Sequence, residues 1–245
     1  MTNKTKLFGL PLLIMGLFVF IASSCDKDDV NDVDNGTKEI KGELIDADDN
    51  VYTTVTIGGN EWTAENLRVT RYSNGDEIPR VQDAEEWVKL TTGAWCYYDN
   101  NPENEELYGK LYNWHAVNDE RGLAPEGWRV PTNEDWINLV DFAGGERIAG
   151  GKLKSTRTAP DGHPRWDDPN SGATDEYGFS ALPGGLRNGG DGEFLALGGR
   201  GYWWSSTLKD AATALHSYSM NNMKYMSYEY SISKRTGISV RCVKN

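Results

Sequence analysis

Between Gly184 and Thr207 the sequence reads GGLRNGGDGEFLALGGRGYWWSST, a third of it glycine and closing on two adjacent tryptophans. The stretch lacks the Gly-Lys-Ser/Thr ending of a phosphate loop, and aromatic β-formers follow it in place of a helix pattern, so it is no nucleotide cradle. Its glycines permit left-handed turns and close approach of backbone segments. This predicts that Gly184 to Gly201 form a long ordered loop system, with Trp203 and Trp204 opening a strand that ties it to the core. The alternative is a binding loop. Its backbone amides, Arg187, Asn188 and Asp191 would then meet a ligand on the polar outside.

The N-terminus bounds where such a chain works. Lys4 and Lys6 precede an apolar run from Leu7 to Ala22, and Ser23 and Ser24 stand directly before Cys25. That layout predicts a lipoprotein signal peptide over residues 1–24, with Cys25 as the lipid acceptor and the membrane as a partner through that lipid. The competing reading is a single anchor helix, because the run approaches the roughly 20 apolar residues that span a bilayer. The small-small-Cys ending favours cleavage. Cleavage removes two lysines and no acids, which takes the formal charge from −12 to −14. So acidic a chain repels phosphates, and no nucleic-acid partner is expected.

Residues 25–42 begin CDKDDVNDVDNGTKE and hold too few large apolar groups to offset their ordering entropy, so they read as an acidic disordered tether. Lysine and acids after the cysteine resemble the signal that sends lipoproteins of the Bacteroidetes type to the outer face of the outer membrane. An ordinary linker is the alternative. Val33 stands where an EF-hand needs an oxygen ligand, which argues against a calcium loop. Residues 43–245 remain, enough for one domain with a substantial core.

Within that domain NVYTTVTIGGNEW sets Val51, Val55 and Ile57 against Tyr52, Thr54 and Thr56 and turns at Gly58 and Gly59, which predicts a hairpin. Asp83 with Glu86, and Thr132 with Asp135, have the spacing of capping boxes ahead of short helices. In the second helix Trp136, Leu139, Val140 and Phe142 form the expected buried face, and Gly144 and Gly145 the stop. The last third shows three β-like runs, broken at Asn221-Asn222 and at Lys234 to Gly237, and reads as an antiparallel meander. On its final run Ile238, Val240 and Cys242 point one way, Ser239 and Arg241 the other. The fold class is α+β, with few short helices, small antiparallel sheets and long irregular loops.

The phrases TVTIGGNEWTAENLR, GAWCYYDNNPENEELYGKLYNWHAVND, GLAPEGWRVPTNEDW, YGFSALPGGLR, GYWWSST and GISVRCV occur in this order. Together they resemble the Fibrobacter succinogenes major paralogous domain, a family of secreted and surface modules. The resemblance covers nearly everything from Asp46 to Asn245. It implies a C-type lectin-like fold in the branch that includes the formylglycine-generating enzymes. Those enzymes need a pair of nearby reactive cysteines in the glycine-rich C-terminal region, where this sequence has none. The resemblance therefore implies a non-catalytic relative.

Other chemistry is sparsely signalled. His115, His163 and His216 lie in unrelated contexts, and no metal site is expected. GFSAL around Ser180 lacks the second glycine of a hydrolase elbow. No catalytic residue and no cofactor is assigned. Export to an oxidising compartment, with Cys96 and Cys242 left in the domain, predicts a disulfide between them. The alternative is two separate buried thiols acting as small hydrophobes. Trp166 sits in the polar, turn-rich HPRWDDPNSGATDE, which predicts an exposed indole suited to a sugar face. It could equally fold back over its own loop. Oxygen ligands at Asp167, Asp168 and Asn170 would suit calcium, but the matched signatures of calcium-dependent lectins are missing. The expected function is a surface-exposed or periplasmic lipoprotein, a binding or adhesion module for polysaccharide, host glycan or a surface protein. An enzyme of unrecognised type and a structural envelope component are the competing classes.

Overall fold

A computed structural model describes residues 40–245, so the 1–24 leader, Cys25 and most of the tether lie outside the described residues. β1 already begins at Ile40, inside the segment assigned to the tether. The strands, in order, are β1 (Ile40–Ile45), β2 (Val51–Ile57), β3 (Asn60–Thr63), β4 (Trp95–Cys96), β5 (Leu111–Tyr112), β6 (Trp128–Arg129), β7 (Gly184–Arg187), β8 (Phe194–Leu197), β9 (Arg200–Leu208), β10 (Thr213–Met220), β11 (Met226–Ser233) and β12 (Val243–Lys244). They form a five-stranded sheet ordered β1-β2-β3-β12-β6, a three-stranded sheet β11-β10-β9, and the pairs β4-β5 and β7-β8. Five short helices intervene: α1 (Ala84–Trp87), α2 (Glu103–Tyr108), α3 (Trp114–Val117), α4 (Asn133–Phe142) and α5 (Glu146–Leu153). Among the described residues no helix is long and apolar enough to cross a membrane.

The local signals set several of these elements. Gly58 and Gly59, at φ +59° and +84°, close the β2–β3 hairpin, the conformation of a tight hairpin turn. Thr132 and Asp135 form a complete capping box at the start of α4. At α1 the Asp83 side chain accepts from the Glu86 amide. The buried face of α4 is Trp136, Leu139 and Val140, whereas Phe142 is 49 % exposed, turned off that face by the helical period.

Two large cores lie on opposite sides of the central strands, and this accounts for the departures from simple alternation. On β2, Tyr52 enters one core while Val55 and Ile57 enter the other, and Val51 is left exposed. On β9, Trp204 enters the first core and Trp203 the second, and both are fully buried. Residues 238–242 thread between the cores with every side chain at 1 % exposure or less. They do not form the third strand of the meander, which is completed by β9 instead. Their backbone is claimed elsewhere: Ile238 exchanges both hydrogen bonds with Tyr112, and Trp204, Leu67 and Thr63 donate to Ser239, Val240 and Cys242.

Asn66 joins these parts. Its amide nitrogen donates to the Tyr108 carbonyl at 2.8 Å and to Ser239 Oγ at 3.2 Å. Its oxygen accepts from Trp203 Nε1 at 3.0 Å and from Arg241 Nε at 2.7 Å. Arg241 is fully buried, 4.6 Å over the Phe179 ring, and donates from Nη1 to the carbonyls of Thr63 and Phe179 and from Nη2 to that of Ser180. Burial pushes its guanidinium down to about 10, and the charges of Glu65 and Asp175 work in the other direction.

The predicted disulfide is not formed. Cys96 and Cys242 are free and buried, and they belong to different clusters, Cys96 beside Val81 and Trp87, Cys242 beside Tyr112 and Val240. Burial pushes both thiols up to about 12, so neither is a nucleophile at neutral pH. A thiol reagent is expected to find both slow in the native protein and fast after unfolding without reductant. Reaction of neither thiol in the unfolded, unreduced chain would show a bridge.

Candidate functional site

The side chains singled out from sequence do not converge on a ligand surface. Trp166 is fully buried, donates Nε1–H to the Ala181 carbonyl at 2.9 Å and carries the Lys154 ammonium 5.2 Å over its ring. Its polar neighbours Asp167 and Asp168 take the surface in its place. Arg187 is 1 % exposed. It donates to the carbonyls of Val81 and Gln82, both at 2.7 Å, and of Gly192 at 3.0 Å, and lies between the rings of Trp87 and Phe194. Each of its three guanidinium nitrogens is engaged in fastening the β7–β8 hairpin.

Asn188 and Asp191 do reach the surface, where they build the hairpin turn: Asn188 Oδ1 accepts from the Gly190 amide and Asp191 Oδ1 from the Glu193 amide. The glycine-rich stretch is thus largely strand and tight turn, not a long loop system. Gly185 shows why glycine is needed there: at φ +63°, an added Cβ would lie 2.5 Å from the Leu195 carbonyl oxygen.

The accessible tryptophan is Trp128. The other eight are at 5 % exposure or less, whereas Trp128 is only partly buried. Seven of those eight donate Nε1–H to an acceptor inside the fold, and the Nε1 of Trp62 is sealed away without one. Trp128 lines the wall of a cleft of about 560 Å³, within the range of small-molecule sites.

Local sequence places that wall. Pro125, Glu126, Gly127 and Trp128 make a turn in which the Trp128 amide donates to the Pro125 carbonyl at 3.0 Å and Gly127 takes φ +79°, as a type II turn requires at its third residue. β6 then pairs with β12, with Trp128 opposite Lys244. Buried Val117, Leu123 and Val130 make the apolar floor, and Ser73, Thr132, Ser206 and exposed Glu126 supply polar edges. Arg129 is not free for a ligand, since Asp135 holds its guanidinium through two hydrogen bonds. Burial works against the Asp135 carboxylate, but Arg129 and Thr132 together keep its pKa below the ordinary range. The cleft can therefore offer a flat aromatic face, an unused indole N–H and hydroxyl acceptors.

Other buried titratable groups serve the fold. Lys154 donates to the carbonyls of Ser171, Met220, Asn221 and Met223, and burial pushes it down to about 8. His216 packs between Tyr202 and Tyr218, and burial holds it near 4. Among the described residues no three His, Cys, Asp or Glu side chains are grouped to hold a metal ion.

Residues 55–244 match the sequence model of the Fibrobacter succinogenes major domain. No curated protein and no solved structure matches the chain.

Proposed function

Since the chain belongs to the Fibrobacter succinogenes major domain family, a non-catalytic surface-protein family, we propose that it is a lipid-anchored glycan-binding module whose ligand stacks on Trp128. In this reading the domain has a C-type lectin-like architecture. Cys25 holds it to the outer membrane by its lipid, and the acidic tether lets it face outward. The ligand is polysaccharide or host glycan.

One observation carries the reading: the chain buries eight of nine tryptophans and leaves the remaining one on the wall of a cleft of about 560 Å³. A buried indole contributes area and a satisfied N–H, while an indole left half open gives up part of that area. Pyranose rings present flat C–H faces flanked by hydroxyls, which suit an aromatic wall with hydroxyl and carboxylate edges. Glycan contact thus explains both the ring and its polar surround.

The test is affinity electrophoresis of the purified protein through xylan, β-glucan, pectin and mucin glycans. Retardation by at least one is expected, and Trp128→Ala should weaken it tenfold or more, about 1.4 kcal/mol. The melting temperature should hardly change, because Trp128 is the least buried tryptophan. Full retention of binding by folded Trp128→Ala would overturn the assignment.

A further inference from the structure

A second hollow is lined by two basic side chains that, among the described residues, no carboxylate pairs. We infer that the space between His115, Lys234 and Arg235 binds an anionic group, the carboxylate or sulfate of an acidic polysaccharide. The anion site stands on its own geometry. The choice of polysaccharide as its carrier rests on the glycan reading of the Trp128 cleft.

The hollow measures about 250 Å³ and is lined by these three side chains, with Thr91, Thr213 and Ser233 among its neutral neighbours. Lys234 comes from the tight segment after β11, and its Nζ donates to the Ala211 carbonyl at 3.0 Å while lying 4.8 Å over the Trp114 ring. Arg235 Nη1 donates to the Val88 carbonyl at 2.8 Å. Carbonyls and a ring face therefore hold these two cations, in place of a carboxylate. Asp210, the acid that feels Lys234, has its oxygens occupied by the amides of Ala212 and Thr213 and the Thr213 hydroxyl, each at 2.8 Å. Lys234, Arg235 and His115 meet in this hollow with no carboxylate among its lining residues, which leaves an anion to complete the set. His115 reflects that crowding. Burial first, then Lys234 and Arg235, hold its imidazole below the usual range.

The hollow also connects toward the proposed sugar wall. Thr91 and His115 line both it and a cleft of about 550 Å³. Arg121 lines that cleft, and Gly122, its neighbour in the chain, lines the Trp128 cleft. A chain-like ligand stacked on Trp128 could run along this surface and set an acidic substituent against Lys234 and Arg235. Repulsion from the rest of the acidic surface decays within about 8 Å at physiological salt, so the local cations dominate inside the hollow.

The test uses the purified full-length protein, dextran, carboxymethyl-dextran and dextran sulfate. In a separate arm, acetate and sulfate are titrated while the His115 ring is followed by NMR. The charged dextrans should bind at least tenfold more tightly than dextran, and Lys234→Gln with Arg235→Gln should erase the difference. The simple anions should shift the His115 ring. Should the double variant unfold, the His115 shift in the wild type decides. Equal binding of all three dextrans, with no anion shift at His115, would overturn the anion site and leave the glycan reading standing. A His115 shift with no glycan bound would uphold the anion site while removing the glycan reading.

Discussion

Asn66→Leu is expected to cost about 3–5 kcal/mol, because it leaves several buried hydrogen-bonding groups, one of them charged, without a partner. Leucine keeps the branched four-atom side chain of asparagine but is bulkier, so none of the loss would come from a cavity. The loss comes from hydrogen bonding. Trp203 Nε1 loses its acceptor, and the fully buried Arg241 loses its closest one. The Tyr108 carbonyl and Ser239 hydroxyl lose a donor as well. Each buried group left unpaired costs about 1–3 kcal/mol, more when charged. With native domains stable by only about 5–15 kcal/mol, the variant should melt far below the wild type in a denaturant or thermal scan. A change within 1 kcal/mol would mean that Asn66 does not organise the two cores.

Trp203→Ala and Trp204→Ala are expected to be similarly severe, about 3–5 kcal/mol each. Adjacent residues on a strand point to opposite faces, so one of two neighbouring tryptophans normally faces solvent and is cheap to remove. Here both faces of β9 are covered. Trp203 lies against Trp136, with ring centroids 6.3 Å apart, and donates to Asn66. Trp204 lies in the other core and donates to the Tyr112 carbonyl at 2.7 Å. Urea unfolding of each variant checks the claim. A cheap replacement at either position would show that one core does not close over that face.

Where local chemistry decides the structure, the sequence was legible. The Gly58–Gly59 turn and the Thr132–Asp135 capping box need only their own neighbours. The run from Ile238 to Cys242 has the alternation of an ordinary strand, and its burial on both sides is set by residues as far as 62 and 173 positions away. The glycine stretch departs from its expected loop for a related reason. Glycine density signals sharp reversals but does not say that strands as short as β7 and β8 lie between them.

The tryptophans make the limit clearest. Trp128 in PEGWR and Trp166 in HPRWDD both follow a proline and sit among polar residues. Nothing local separates them. Packing decides that Trp166 is covered through Ala181 and Lys154 while Trp128 stays on an edge strand beside the cleft. Arg187 likewise has the look of a surface arginine between glycines, and only the fold brings Val81 and Gln82 to it.

Acrylamide quenching of tryptophan fluorescence tests the central claim most directly, because eight of the nine indoles are shielded. The easily quenched fraction should belong to Trp128 and disappear in Trp128→Phe. Saturating the protein with a polysaccharide that it retains in affinity electrophoresis should remove the same fraction from the wild type. Quenching that stays unchanged while the polysaccharide is bound would contradict a ligand stacked on Trp128.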